Sequence, residues 1–246
     1  MCKRSLDNDG ALVLRNFLQA GAIASIQAEG RNNQHLAHYT TKRHNIYLAP
    51  PDPNYPSDHP RNRTVATSKG CITTDQIPSN SALRTLYVAP LFREFLCAVL
   101  NEASLYEYAD PLSSINLHYA SEGQELGWHF DNSSFAVTLL IQRPKSGGVF
   151  EYVENVCNAD NHETNSPTSK QPNYELANKV LDGKAVPKTL TMDAGTLVLF
   201  RGHNAIHRVT PVVGDRTRML VVLAFNTEPG ISLSESARLT FFGRLK

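Results

Sequence analysis

From residue 112 onward the chain is written as short apolar runs separated by Gly, Pro and Asn: SSINLHYA, FAVTLLIQ, GGVFEYV, KTLTM, GTLVLF, HRVTPV and RMLVVLAFN. Runs of this length, each bounded by turn residues, predict the strands of an antiparallel sandwich or barrel. The first 105 or so residues carry the helical signals. LVLRNFLQAGAIASIQAEGR opens like a strand and turns helical, with Leu18, Ile23 and Ile26 as its apolar positions. PSNSALRTLYVAPLFREFLCAVLNEA places Leu83, Leu86, Leu91, Phe95 and Val99 on two helices broken near Pro90. Between them LAPPDPNYPSDHPRNR holds five prolines and predicts a long loop. A polar, turn-rich insert, CNADNHETNSPTSKQPNYELANKV, interrupts the β series and predicts a loop over 154–180. The expected fold class is mainly β with N-terminal helices (α+β). It is expected to form one domain over 1–246: helical support and a covering loop over 1–111, the β core over 112–228, and a tail over 229–246.

Composition narrows the functional classes. A chain of 246 residues can bury a substantial core. Its 24 Lys and Arg nearly cancel 23 Asp and Glu, with no block of one sign, which argues against nucleic acid or an anionic membrane as partner. No apolar run approaches the roughly 20 residues that span a bilayer, and the start, MCKRSLDNDGALVLRNF, has no signal-peptide pattern. Cys2, Cys71, Cys97 and Cys157 are scattered and form no C-x-x-C, as expected for reduced thiols of a cytoplasmic protein. Composition does not name a small-molecule substrate, and oligomeric state stays open.

Candidate chemistry begins at GWHFDNS, residues 127 to 133. In an extended segment His129 and Asp131 point to the same side, because strand side chains alternate with period two. A third ligand is offered by His207, in GTLVLFRGHNAIHRVTPVVGDRTRMLVVLAFN, 76 positions after Asp131. Two histidines and one carboxylate, with the remaining metal positions open, form the facial triad of non-haem iron(II) oxygenases. An arginine behind the second histidine would suit a remote carboxylate, since its planar fork binds carboxylate bidentately. Arg216 and Arg218, nine and eleven positions after His207, are expected on one face of a strand, and the spacing permits either. His203, four residues before His207, reads as a turn residue.

These residues resemble the iron(II)/2-oxoglutarate dioxygenase superfamily, and more narrowly its branch of free-amino-acid halogenases and hydroxylases, which includes the radical halogenases of free lysine. The resemblance runs through DQIPSNSALRTLY, ADPLSSINL, LGWHFDNSSFAVTLLIQ, GGVFEYV, the His207 segment and TEPGISLSESARLTFFGR. It implies a double-stranded β-helix, a jelly-roll variant, with iron(II) on His129, Asp131 and His207, and with 2-oxoglutarate and O2 as cosubstrates. The halogenases of that branch carry a small residue, usually Gly, where this chain has Asp131. A carboxylate there fills the halide position, so the resemblance implies hydroxylation.

Further site residues are expectations of the same reading. Thr138, on the face opposite Phe135 and Val137, is a candidate donor to the cosubstrate. Asn116 and Tyr119 are two more, of which at most one can point inward, since they lie on opposite faces of one strand. For the substrate, Arg63 in HPRNRTVATSKG is a candidate for its carboxylate and Asp110 for an ammonium or guanidinium. Trp128 is expected at the barrel mouth, and Asn226 shares strand parity with Arg218. The function these suggest is hydroxylation of a free cationic amino acid such as lysine, ornithine or an arginine homologue. The same chemistry on a peptide-bound or carrier-tethered residue is the alternative, as is a non-catalytic cupin-like metal-binding module.

Overall fold

The structure, a computed structural model, describes residues 1–156 and 172–246. In chain order its elements are α1 (Cys2–Asp9), β1 (Ala11–Leu14), α2 (Ala20–Asn33), β2 (His38–Asn45), β3 (Thr64–Ile72), α3 (Ala82–Val88) and α4 (Pro90–Leu100). They continue with β4 (Ile115–Ala120), β5 (Leu126–His129), β6 (Ala136–Gln142), β7 (Ser146–Gly147), β8 (Phe150–Glu154) and α5 (Tyr174–Leu181). Last come β9 (Lys188–Leu190), β10 (Leu197–Phe200), β11 (Ala205–Val209), β12 (Val212–Val213), β13 (Arg218–Leu223) and α6 (Glu235–Phe242).

One antiparallel path, β1-β10-β6-β13-β4-β3-β5-β11-β8-β9, with β2 paired outside it on β3, wraps into a nearly closed double-stranded β-helix. Strand alternation gives its walls two chemically different faces. On the helix side, Leu117, Tyr119, Val137, Leu139, Met219 and Val221 pack with Ile26 of α2, Leu83 of α3 and Leu96 of α4. Burying a side chain of that size contributes about 1.5–3 kcal/mol, so this layer fixes the sheet against its helices. On the inner face, one row of register partners runs Val198, Thr138, Val222, Asn116 across β10, β6, β13 and β4. The next row runs Leu140, Leu220, His118, Cys71 and reaches β3. The outer face of β5 and β11 has its own small core: Trp128, Phe130 and Ile206 against Ala177 and Val180 of α5.

Every strand expected after residue 112 is present, and the helix pair breaks at Pro90, which occupies the first turn of α4. Two expectations need correction. The N-terminal part is not only helical, because β1, β2 and β3 all belong to the main sheet. The 154–180 insert is not loop throughout: β8 runs to Glu154, and α5 is a helix whose Asn173 side chain caps it by accepting from the Leu176 N–H. Residues 157–171 of that insert, with Cys157, lie outside the described residues.

Candidate active site

His129 ends β5, Asp131 follows two residues later, and His207 sits opposite His129 in the middle of β11. This pairing brings the three side chains together: their ligand atoms all lie within 4.8 Å of one another. Asp131 Oδ1 stands 3.4 Å from His207 Nε2 and 3.6 Å from His129 Nε2. Both imidazoles are held from behind. The other ring nitrogen, Nδ1, lies 2.8 Å from the Gly127 carbonyl in His129 and 3.0 Å from the Ala205 carbonyl in His207. A carbonyl can only accept, so each ring is protonated on Nδ1 and turns its Nε2, the nitrogen left to bind a metal, toward Asp131. Phe150 stacks on His207 at 5.5 Å, and Phe200 meets the same ring edge-on at 5.0 Å. His44 stands edge-on to His129.

The carboxylate is accommodated by its surroundings. Its backbone N–H donates to the Gly202 carbonyl at 3.1 Å. A Cβ on Gly202 would overlap the Asp131 carboxylate, so a side chain there would displace it. Burial works against ionisation of Asp131, but the two imidazoles outweigh it and hold the carboxyl well below its usual range. Burial and the neighbouring His207 push His129 down, whereas for His207 the Asp131 charge overcomes burial and raises it. Two neutral-capable imidazoles and one carboxylate on one face, ring orientation fixed by carbonyls, match the chemistry of a divalent-metal site with open positions. The donor set fits iron(II).

Arg218 opens β13 on the inner face, 6% exposed. Among the described residues no carboxylate pairs with it, and burial alone pushes its guanidinium down to about 10. It lines a pocket of about 320 Å³ together with Leu140, Phe150, Met192 and Gly148. Gly148 has a positive φ of 59°, and a Cβ there would sit 3.0 Å from Arg218 Cδ. The glycine thus serves both the turn and the close approach. Phe150 joins this pocket to the triad, because it also stacks on His207. Arg216 is different. It lies before β13, exposed, and donates to the Pro144 carbonyl at 2.9 Å. The two arginines therefore do not share a strand face, and only Arg218 is buried in the barrel wall.

The other expected residues separate by face. Thr138 and Asn116 lie on the inner face, two strands apart in one row, and Asn116 donates to the Leu112 carbonyl. Tyr119 is corrected: it points to the helix side, where its hydroxyl donates to the Gly30 carbonyl of α2 at 2.8 Å. Trp128 is also corrected. It faces away from His129 into the small core under α5, with the Arg208 guanidinium 4.7 Å above its ring. The Arg63 guanidinium is committed to α5, pairing with Asp182 at 2.8 Å and Asn178 at 3.0 Å. Asp110 is a loop anchor: it accepts from the Leu112, Ser113 and Leu233 N–H groups and from the Ser113 hydroxyl. It borders a larger pocket of about 550 Å³ beside α3, but none of the triad lines that pocket. Asn226 lies past the end of β13, exchanging backbone bonds with Tyr106, and its side-chain nitrogen is buried without a partner among the described residues. His203 is outside the metal-binding group, in the turn before β11.

Two inner-face residues were not anticipated. Lys69 of β3 donates to His118 Nδ1 of β4 at 3.3 Å. Burial, then Lys69, then Arg218 push His118 well down, so its ring is neutral. Strand parity could have singled out both, had β3 been legible as a strand.

Two histidines and one carboxylate on one face with open positions form the arrangement of a facial-triad metal site, and solved structures of 2OG-Fe(II) oxygenases share this fold. The carbocyclase SnoK from nogalamycin biosynthesis, described as a non-heme alpha-ketoglutarate-dependent enzyme, superposes with a TM-score of 0.61 at 12% identity, covering 97% of this chain and 89% of its own. HygX from Streptomyces hygroscopicus, solved with nickel, 2-oxoglutarate and hygromycin B, gives 0.58 at 14%, covering 94% and 88%. A 2OG-Fe(II) oxygenase family oxidoreductase from Burkholderia pseudomallei gives 0.57 at 13%, covering 94% and 92%. No curated protein matches the sequence. Residues 1–238 match the family model HalD, Halogenase D, and the chain belongs to that family.

Proposed function

We propose that this chain is an iron(II)- and 2-oxoglutarate-dependent hydroxylase of a free amino acid of the cationic kind, lysine, ornithine or an arginine-type compound. The observation that carries the reading is the Asp131 carboxylate, set 3.4 and 3.6 Å from the two Nε2 atoms. Where a halogenase needs an open position for halide, this chain presents an oxygen ligand. His129, Asp131 and His207 would hold the metal, and Arg218 would take the remote carboxylate of 2-oxoglutarate. Thr138 and Asn116 stand on the inner face as polar neighbours of that cosubstrate. When bound, iron(II) with 2-oxoglutarate and O2 supplies the oxidation that turns a substrate C–H into C–OH, with succinate and CO2 released. The chain's own contribution is orientation. The Gly127 and Ala205 carbonyls keep both imidazoles in the metal-binding tautomer, and Phe150 and Phe200 keep water from the His207 ring.

The amino-acid substrate is supported by the sequence resemblance. Since Arg63 and Asp110 have other partners, its recognition falls to inner-face groups. The test is mass spectrometry of products from a panel of lysine, ornithine, arginine and homoarginine, with iron(II), ascorbate, 2-oxoglutarate, O2 and excess chloride. The expected product carries one added oxygen and no chlorine. A chlorinated product from the unmodified protein overturns the hydroxylase reading, and no succinate with any member overturns the cationic amino acid.

A further inference from the structure

Arg218 and Lys69 both project from the inner face of the main sheet, two strands apart. Arg218 pairs across the ladder with Ala120 of β4. On the other side of β4, Gly70 pairs with Tyr119, which sets the preceding residue, Lys69, beside the same Ala120. Three adjacent strands thus carry the row Arg218, Ala120, Lys69. The two cations stand roughly 10 Å apart at their Cα atoms, given about 4.8 Å between neighbouring strands. Ala120, between them in the row, carries only a methyl group.

Among the described residues neither cation forms a salt bridge. Among the described residues no carboxylate pairs with Arg218, and the ammonium of Lys69 has one recorded hydrogen bond, to the neutral His118 ring. An ammonium has three donors and a guanidinium five, so most of this donor capacity is unused. Two like charges inside a barrel wall are costly unless an anion lies between them. Burial lowers the Lys69 pKa, with partial compensation from Cys71 and Asp131, and Asp131 belongs to the metal site. In the sheet order β13-β4-β3-β5-β11, Lys69 on β3 lies between Arg218 on β13 and the strands that carry the triad histidines, with the His118 ring 3.3 Å from its ammonium.

We infer that Lys69, braced by His118, is a second cosubstrate-binding residue that holds the remote carboxylate of the 2-oxo acid from the side opposite Arg218. The inference rests on the proposed 2-oxoglutarate dependence and adds to it a residue that discriminates a dicarboxylate from a monocarboxylate. The carboxylate accepts from both cations, and the 2-oxo acid end stays at the triad.

The experiment is anaerobic calorimetric titration of the iron(II)-loaded protein with 2-oxoglutarate and with 2-oxopentanoate, which lacks the remote carboxylate. The proteins are the unmodified chain, Lys69→Met, Lys69→Arg and Arg218→Met, with Lys69→Gln in parallel should Lys69→Met fail to fold. Expected are a rise of about ten-fold or more in the 2-oxoglutarate Kd for Lys69→Met and for Arg218→Met, recovery to within about three-fold for Lys69→Arg, and no change for 2-oxopentanoate. Equal weakening of both 2-oxo acids would put Lys69 at the metal end and overturn the inference. Unchanged 2-oxoglutarate binding in Lys69→Met and Lys69→Gln overturns it as well, while leaving the proposed function standing. An unmodified protein that binds iron(II) but not 2-oxoglutarate refutes the proposed function itself, and the inference with it.

Discussion

Replacing Gly202 with alanine adds one methyl group where the structure has reserved space for the Asp131 carboxylate. The new Cβ would lie 2.6 Å from Asp131 Cγ and 2.9 Å from His207 Cε1, both closer than real Cβ contacts allow. Gly202 is not among the residues with positive φ, so the backbone accepts alanine and the effect is steric. Something must move, and the carboxylate is the group in the way. Overpacking of this kind typically costs about 1–3 kcal/mol of stability, which leaves a folded protein. The larger effect falls on metal binding. Disturbing the groups that orient metal ligands costs roughly 10- to 100-fold in affinity, or about 1.4–2.8 kcal/mol at ~1.4 kcal/mol per ten-fold. The assay is anaerobic titration of iron(II) or manganese(II), with thermal melting as the control for folding.

A double-mutant cycle sharpens the test. Asp131→Gly removes the carboxylate that the new methyl strikes, so Gly202→Ala added to it should cost clearly less than it does alone, with only the approach to His207 Cε1 left to relieve. Residues in direct contact are expected to be non-additive in this way, whereas independent sites add to within about 0.3–0.5 kcal/mol. Wild-type metal affinity in Gly202→Ala, or an additive loss in the double variant, would refute the claim that Gly202 acts by making room for the carboxylate.

Thr67→Val should lower stability by about 1–3 kcal/mol and weaken metal binding less than Gly202→Ala does. It strips the hydroxyl that accepts from the Gly127 N–H at 2.9 Å, leaving unsatisfied the residue whose carbonyl holds His129; melting and metal titration check it. Asp110→Asn should destabilise by about 2 kcal/mol at neutral pH, because an amide nitrogen cannot accept from Leu233 as the second carboxylate oxygen does. Although burial opposes it, hydrogen bonds from Leu233, Ser113 and Leu112 hold the Asp110 pKa below its ordinary value. Its contribution is therefore complete above the unfolded value of about 3.9 and is lost as pH falls through the lower folded one, so the gap between variant and parent should close in acid denaturant melts. Arg63→Ala should cost at most ~1 kcal/mol, since the pair with Asp182 is partly exposed, and should leave the KM for the best panel substrate unchanged; a steep rise in KM would restore Arg63 to the substrate site.

The strands after residue 112 were legible because one of their faces lies in a continuous core, which writes alternation into the sequence. By contrast, β2 and β3, HYTTKRHN and TVATSKGCI, were not: most of their residues are exposed or half-buried, and no apolar period marks them. Missing β3 as a strand hid Lys69, and with it the partner of His118. The H-x-D pair was readable because a period of two is local, and His207 because its distinctive context follows it. Faces went wrong where parity did not say which side was inside. Tyr119 and Trp128 are both one residue out of phase with an inner-face neighbour, and both point outward. Arg216 and Arg218 could not be separated because the turn before β13 ends between them, and a strand boundary of one or two residues is below what pattern resolves.

Membership of a family named for a halogenase and a carboxylate at position 131 pull toward different reactions, and the surroundings of Asp131 are what the proposed hydroxylation rests on. A chain that had merely acquired a carboxylate in a halide position would have no reason to make space for it. Here Gly202 lacks the atom that would strike the carboxylate, and its carbonyl fixes the Asp131 backbone N–H. Both Nε2 atoms face one carboxylate oxygen, and their charge interaction keeps it ionised in spite of burial. Accommodation by shape, by backbone and by charge each serves a ligand with oxygen atoms, and none is required by a glycine at the same place. The candidate metal face in this chain is built around a carboxylate, and for that reason hydroxylation, with oxygen and not halide delivered to the substrate, is the reaction proposed for it.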